Sequence, residues 1–251
     1  MKQTKNESKK VRYHIEYNKE MQPSITKGNR KIGKRVYSFS LLPGSSPITL
    51  KDGTVLTNVK GTCNGICSDC QHCCYAVRDA KTYNSTTIPA WGKNTVMLRN
   101  DRDGLFNKID TYISKHKVEI WRWQVAGEIE DYDYLERMND MALKHPNVQF
   151  GVYTKRFAFV KMFINKHQKF ADNFCVNLSE WNHNIDQYHF EGLNSFVWDD
   201  GDDPEISKLP HCPAVSAPTT PGGKGKSTGI TCSQCGRCYR TTGKKTAVYN
   251  H

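Results

Sequence analysis

The sequence lacks any apolar run close to the ~20 residues that a membrane-spanning helix requires. Its first ten residues, MKQTKNESKK, also lack the apolar stretch of a secretion signal. We therefore expect no membrane association and a cytoplasmic location, where closely spaced cysteines bind metal more often than they form disulfides. A chain of 251 residues buries enough surface to fold without disulfides.

Negative charge is scarce only at the start of the chain. Residues 1–35 hold eleven Lys or Arg against three Glu, which accounts for most of the formal net charge of +11. The remaining residues hold 25 basic and 22 acidic side chains, so the body is not a uniformly basic surface. We interpret residues 1–35 as a flexible basic arm, which either binds DNA or RNA weakly through phosphates or only aids solubility. No protein partner is indicated.

Five of the ten cysteines lie within twelve residues. Cys63, Cys67 and Cys70 have the spacing C-x3-C-x2-C, and Cys73 and Cys74 follow directly. This spacing lets one loop wrap soft thiolates around a metal centre. A structural zinc site usually takes its ligands from two separated pairs, so a single loop favours an iron–sulfur cluster, with a zinc knuckle as the alternative.

A second cysteine group lies near the C-terminus. Cys232, Cys235 and Cys238 form a C-x2-C-x2-C run, which is similar to part of a ferredoxin-type run. Cys212 can supply a fourth ligand from across the intervening loop. We predict a second metal site here, which holds either zinc or an iron–sulfur cluster. The tenth cysteine, Cys175, lies in the segment FCVNLS and is expected to be a buried small apolar residue.

Strand and helix periodicities alternate through the middle of the chain. This alternation implies parallel strands joined by right-handed crossovers, with too few units for an eight-fold barrel. We predict an α/β fold, a partial (open) β/α barrel at residues 36–198 with an iron–sulfur loop at 60–80. A mobile loop and a cysteine-rich metal-binding segment follow at 199–251. The predicted strands are 36–42, 54–59, 118–126, 148–154, 174–179 and 195–198, and the predicted helices are 103–116, 133–145 and 156–170.

Polar residues lie at the ends of three of the predicted strands. The carboxyl ends of parallel strands meet at one edge of a sheet, so these side chains are expected to line a common mouth. Trp121 and Trp123 share one face of an apolar strand, and we expect them to pack in the core. The predicted residues of the mouth are Glu128, Glu130, Tyr153, Thr154, Lys155, Asn177 and Ser179.

The C-x3-C-x2-C spacing resembles the signature of radical S-adenosylmethionine (SAM) enzymes. The resemblance implies a four-iron cluster held by three cysteines, whose fourth iron binds SAM, and cleavage of SAM to a radical that abstracts hydrogen from a substrate. In that superfamily a Gly-Gly-Glu motif after the second strand binds the amino group of SAM. Gly127 and Glu128 match its last two residues, and Ala126 replaces the first. Tyr153, Lys155, Asn177 and Ser179 are the other expected cofactor-binding residues.

A closer resemblance covers nearly the whole chain. It is to the "gene product eighty-eight" family of phages and mobile elements, in which a C-x6-C-x3-C-Tyr-Ala pattern maps onto Cys63, Cys70 and Cys74. On this mapping Cys67 is an added ligand and Cys73 a spectator, so the two resemblances differ about Cys67 and Cys74. The matching segments are CYA at 74–76, AGE at 126–128, DYDYLERM at 131–138, HPNVQFGVYTKR at 145–156, NLSEW at 177–181 and VYNH at 248–251.

Two function classes follow from these patterns. The first is an iron–sulfur protein of a phage or mobile element, similar to radical SAM enzymes, in the cytoplasm of the host cell. The second is a non-catalytic, zinc-stabilised nucleic-acid-binding protein that uses zinc at both cysteine groups and the basic arm on phosphates.

Overall fold

The computed structural model describes residues 11–65, 70, 74–180, 190–220 and 223–249. Its strands are β1 (Val11–Tyr13), β2 (Ile25–Lys27), β3 (Val36–Phe39), β4 (Val55–Thr57), β5 (Ile120–Trp123), β6 (Gln149–Thr154), β7 (Phe174–Glu180), β8 (Asn194–Asp199) and β9 (Lys245–Tyr249). Its helices are α1 (Tyr75–Thr82), α2 (Asn84–Asn100), α3 (Arg102–His116), α4 (Tyr132–Lys144), α5 (Phe157–His167), α6 (Pro204–Ser207) and α7 (Cys232–Cys235), and a 3-10 turn covers Arg237–Tyr239.

Seven of these strands form one mostly parallel sheet. Their spatial order is β2-β3-β5-β6-β7-β8-β9, and β2 alone runs antiparallel to its neighbour. The other six follow one another in chain order, with helices in the crossovers between β3 and β7. The mixed α/β fold with parallel strands is thus confirmed, and no barrel closure is present among the strands that the structure describes.

The two faces of the sheet differ in chemistry. One face carries large apolar side chains that pack under α3, α4 and α5, including Trp121 and Trp123, which are fully buried as predicted. Trp123 lies 6.5 Å from Phe150 and 5.8 Å from Phe106, ring centre to ring centre. Residues of the other face alternate with these along each strand, and they include Arg122, Gly151, Tyr153 and Asn177. This second face, called the inner face below, is where the cysteine segments gather.

Helix α4 shows how the predicted helical pattern becomes structure. The side chain of Asp131 accepts a hydrogen bond of 2.9 Å from the backbone N–H of Tyr134 and so caps the first turn. Arg102, in α3, donates to the carboxylate of Asp131 at 2.7 and 2.9 Å, which fixes α4 against α3. The apolar face predicted for this helix is buried, with Leu135 and Met138 inaccessible to solvent.

The described part of the predicted flexible arm is folded, which corrects that interpretation for residues 11–35. Strand β2 pairs with β3 at the edge of the main sheet, and β1 pairs with β4 in a separate two-stranded sheet. Side-chain contacts reinforce this packing, since the Tyr17 hydroxyl donates to the carboxylate of Asp101 at 2.6 Å. The sequence of this segment is polar, and its order depends on pairing with distant strands.

Helices α1, α2, α6 and α7 were not predicted from the sequence. Helices α1 and α2 follow the first cysteine group directly, and their residues Ala80, Ile88 and Val96 pack in a second apolar cluster with Leu42 and Leu56. Helix α2 contains Pro89 and Gly92, both of which disfavour a helix interior, so its sequence pattern is weak. In the described part of the chain, no helix has the length and apolar character needed to cross a membrane.

Candidate metal centres

The first cysteine group begins in a loop that is held tightly against the end of β3. At Gly61 a Cβ atom would lie 2.2 Å from the carbonyl oxygens of Pro43 and Gly44, so only glycine fits there. Arg99, in α2, donates to the carbonyls of Lys60 and Gly61 at 2.8 and 3.1 Å. The backbone of Cys63 then donates to the carbonyl of Gly44 at 3.0 Å. These contacts fix the loop where it reaches the sheet.

Glu128 joins this loop to the ends of two neighbouring strands. It lies just beyond β5 and is buried, and its carboxylate accepts bonds from the N–H of Ile129 at 2.8 Å, the hydroxyl of Thr154 at 2.7 Å and the N–H of Lys155 at 3.0 Å. Its own N–H donates to the hydroxyl of Thr62 at 2.9 Å. A carboxylate offers about four acceptor positions, so three internal donors leave room for one more.

Cys63 lies beside Glu128, with Cys70 and Cys74 close to it. Burial raises the pKa of Cys63 to about 12, and the negative charges of Glu128, Cys74 and Cys70 add to that rise. Without a bound metal, the Cys63 thiol is therefore protonated at neutral pH, and metal binding must release its proton. Cys67, predicted as a ligand, and Cys73 lie outside the described residues.

The second cysteine group lies on the inner face of the sheet. Gly151, in β6, leaves the space for it, since a Cβ atom there would lie 2.7 Å from the Tyr239 ring and 2.9 Å from the carbonyl oxygen of Cys238. The side-chain amide of Asn177 donates to that same carbonyl at 3.0 Å, and Asn194 donates to the carbonyl of Arg240 at 2.8 Å. Asn177, a predicted cofactor-binding residue, thus holds the C-terminal segment.

Two stretches of chain, around Cys212 and at 232–238, bring the four cysteines of this group near one another. The N–H of Cys212 donates to the carbonyl of Ala247 in β9 at 2.9 Å, and Cys232 and Cys235 lie on α7. Burial is the main cause that raises the pKa of Cys238 to about 12; the hydrogen bond from Tyr153 opposes this rise, and the charges of Cys232 and Cys212 contribute to it. Burial also raises the pKa of Cys232, which interacts with both Cys212 and Cys235.

The described cysteines of each group lie near one another, but their side chains are not arranged as metal ligands. Among the described residues, no group of three or more His, Cys, Asp or Glu side chains is drawn together closely enough to hold a metal ion. Binding at either group would require a local adjustment of the cysteine side chains.

The other predicted cofactor-binding residues are divided between the two groups. The Tyr153 hydroxyl donates to the sulfur of Cys238 at 2.7 Å, on the inner face. Lys155 contributes its backbone N–H to Glu128 at the edge. Ser179 lies further along β7, on the same face as Asn177, and is partly exposed. The structure therefore does not gather these side chains in a single mouth.

Sequence reasoning missed two residues that contact the cysteine groups. Thr62 connects the first loop to Glu128, and its position directly before Cys63 was the only available signal. Arg122 lies in β5 between two buried tryptophans and reaches the second group. A charged residue inside the apolar segment IWRW was a signal that could have revealed it.

We predict that Gly127→Ala destabilises the protein by about 1–3 kcal/mol, because the substitution combines backbone strain with a steric clash. Gly127 has a φ of +85°, and a Cβ atom there would lie 2.7 Å from the Leu41 side chain and 2.8 Å from the Thr62 hydroxyl. Gly53 is the matched control, with a φ of +83° and nothing within 4 Å of the same atom. Urea unfolding of both variants measures the difference. Equal losses would show that the contact with Thr62 and Leu41 is unimportant.

The fold and the two cysteine groups define a mixed α/β protein that presents cysteine-rich segments at the edge and inner face of a mostly parallel sheet. The chain belongs to the Gene product 88 family, whose model matches residues 22–241. This match confirms the phage family membership that the sequence motifs predicted. Neither a curated protein nor a solved structure is significantly similar to the chain.

Proposed function

We propose that this protein is an iron–sulfur protein whose first cysteine group binds a [4Fe–4S] cluster at the carboxyl edge of the sheet. One observation carries the proposal. Cys63 lies beside Glu128 at the ends of β5 and β6, and it interacts electrostatically with Cys70 and Cys74. The carboxyl edge of a parallel sheet is where β/α proteins place their chemistry.

The donor set suits a soft metal centre. Thiolates select zinc, Cu(I) or iron–sulfur clusters over hard cations, and a single loop with closely spaced cysteines favours several irons over one zinc. The chain's own residues would position this loop, since Gly61 and Arg99 fix its start and Thr62 links it to Glu128. Partial burial of the cysteines limits the access of water, which protects such clusters.

We propose further that the sheet is a partial, open β/α barrel and that the cluster binds SAM, as in radical SAM enzymes. The sequential order of six parallel strands and the place of Gly127 and Glu128 after β5 support this. With SAM bound, the cluster would supply the electron for its reductive cleavage. The part of Glu128 would be to accept a hydrogen bond from the amino group of SAM through its remaining acceptor position.

Metal analysis of protein purified without oxygen tests the iron–sulfur assignment. The unmodified protein and the Cys175→Ala variant should be brown and should contain iron and acid-labile sulfide. Cys63→Ala should lose most of both, because it removes a ligand. Cys175 is the matched control, because it is buried in β7 outside both cysteine groups. Full zinc occupancy without iron would overturn the proposal and favour a zinc-stabilised nucleic-acid-binding protein.

We also propose that Cys212, Cys232, Cys235 and Cys238 hold a separate, mainly structural metal. Each comes from a segment that packs on the sheet, so a shared ion would tie β9 and α7 to the inner face.

Accordingly, Cys235→Ala should lower the melting temperature by several degrees, since a structural metal contributes directly to folding free energy. The visible spectrum of the first group should change little. Thermal unfolding and absorption spectroscopy on the same samples measure both effects. The reverse ranking, an altered spectrum with unchanged stability, would contradict a structural role.

A further inference from the structure

The two edges of the main sheet differ in charge. Ten Lys or Arg and three Asp or Glu lie in the segments that lead into the parallel strands, which are residues 27–35, 114–119, 145–148, 168–173, 190–193 and 240–244. Two Lys or Arg and seven Asp or Glu lie in described segments that follow β5, β6 and β8, which are residues 124–131, 155–156 and 200–205. The amino edge of the sheet is therefore basic, and the carboxyl edge, where Glu128 lies, is acidic.

The basic charge of the amino edge is only partly neutralised by neighbouring carboxylates. Two of its three acidic residues are paired, Glu119 with Arg35 at 3.2 Å and Asp172 with Lys169 at 3.0 Å. Like charges that are gathered on one surface repel each other, so a polyanion that binds there is attracted to the whole edge. Four exposed cations of this edge form no ion pair within the described part of the chain, namely Arg30, Lys34, Arg240 and Lys244.

Two of the basic segments come from opposite ends of the chain and pack on the same short helix, α7. At one end of α7 the N–H of Ser233 donates to the carbonyl of Ile32 at 3.0 Å. Gly33 fits directly against Ser233, since a Cβ atom there would lie 2.0 Å from the Ser233 hydroxyl oxygen. At the other end, a nitrogen of the Arg240 guanidinium lies 3.4 Å from the position of a Cβ atom on Gly236. A helix of four residues is about 6 Å long, so the fold sets these cations close together.

Helix dipoles account for only part of the charge at the amino edge. Lys115 lies in the last turn of α3, where a cation interacts favourably with the carbonyl end of the helix. The turn at 28–35 follows strand β2, and the segment at 240–244 follows a single 3-10 turn, so no α-helix ends at either one. The cations of these two segments therefore need another explanation.

The dimensions of the amino edge fit the backbone of a nucleic acid. Six parallel strands about 4.8 Å apart form an edge about 24 Å long, which matches about seven base pairs of duplex at 3.4 Å each. The cations extend along this edge from Arg30, before β3, to Lys244, before β9. Several phosphates of one strand can thus contact the protein at once.

We propose that the amino edge of the sheet is a nucleic-acid-binding surface that contacts phosphates without sequence preference. The surface is part of the folded body, because its cations are held by segments from both ends of the chain that pack on α7. It does not depend on which metal the cysteine groups hold, since none of its cations is a proposed ligand. The first cysteine group lies at the opposite edge, so the two sites are separate on the molecule.

Fluorescence anisotropy with a labelled 20-base-pair DNA duplex tests the proposal on the full chain purified without oxygen. The unmodified protein should bind with an affinity that falls steeply as salt rises, because phosphate contacts release counterions. Arg30→Gln combined with Arg240→Gln should weaken binding by about tenfold or more at 0.1 M salt. The same variant should reduce the slope of log affinity against log salt by about two. Arg30→Lys combined with Arg240→Lys should retain most of the affinity because it keeps both charges.

Lys51→Gln combined with Lys81→Gln is the matched control, because it removes the same charge from exposed lysines outside the amino edge, in the turn before β4 and in α1. This pair should change the affinity little. An equal loss in the control pair would show that net charge alone matters and would overturn the surface. Binding that survives Arg30→Gln with Arg240→Gln but disappears on deletion of residues 1–10 would overturn it as well, and so would the absence of any binding to the duplex.

Discussion

Cys74→Ala should abolish the iron–sulfur cluster, whereas Cys73→Ala should leave it intact. Cys74 directly precedes α1 and interacts electrostatically with Cys63. The other described cysteine of this loop is Cys70, which is itself an expected ligand, so it cannot replace Cys74. Iron and sulfide content after anaerobic purification measure the effect. Retention of the cluster in Cys74→Ala together with its loss in Cys73→Ala would contradict the ligand assignment.

The companion variant Cys67→Ala decides whether the cluster has an iron open to SAM. Loss of the cluster in both Cys67→Ala and Cys74→Ala means that four cysteines bind four irons, which leaves no open iron. If only one of these two variants loses the cluster, three cysteines are ligands and one iron stays open to SAM. The first outcome would rule out SAM cleavage while leaving the iron–sulfur assignment in place.

Glu128→Gln should weaken SAM binding by about ten- to a hundredfold while keeping the iron, corresponding to about 1–3 kcal/mol for a lost charge-assisted hydrogen bond. Gln keeps the shape of the side chain, and its amide oxygen can still accept from Ile129 and Thr154, as the Glu128 carboxylate does. Calorimetry on the protein with its cluster intact measures the affinity. Glu119→Gln is the control, because Glu119 is exposed and pairs with Arg35 at the surface.

Two results would contradict this role for Glu128. If the variant binds SAM as tightly as the unmodified protein, Glu128 only fastens the loop to Thr154 and Lys155. If the unmodified protein with an intact cluster does not bind SAM, the radical mechanism fails altogether.

The parallel core was predictable from the sequence because its periodic signals are strong. Helices α3, α4 and α5 and strands β5 to β8 coincide with the predicted segments to within a few residues. Each of these elements buries one continuous apolar face, and such a face is visible in the order of residues alone.

The elements that escaped prediction depend on contacts distant in sequence. Strand β2 is held by its pairing with β3, and Asn94 in α2 fixes the nearby chain through bonds of 2.7 and 2.9 Å to the backbone of Ser24. Strand β9 is a short segment, KTAVY, which pairs with β8 and bonds through Ala247 to the backbone of Pro210 and Cys212. No local pattern of residues encodes such partners.

The candidate site shows the same division between local and distant information. Cysteine spacing predicted two groups, because ligands on one loop are close in sequence. The sequence could not show that Asn177 and Tyr153 hold the C-terminal segment on the inner face. Nor could it show that the N–H of Cys232 bonds to the carbonyl of Lys31, since these residues come from separate parts of the chain.

Mössbauer spectroscopy of iron-57-labelled protein, purified without oxygen, tests the central claim most directly. The account predicts about four irons per chain in a [4Fe–4S] cluster that persists in the Cys235→Ala variant, which lacks a ligand of the second group. A protein that contains zinc but no iron, or whose iron disappears entirely in Cys235→Ala, would contradict a cluster at the first cysteine group.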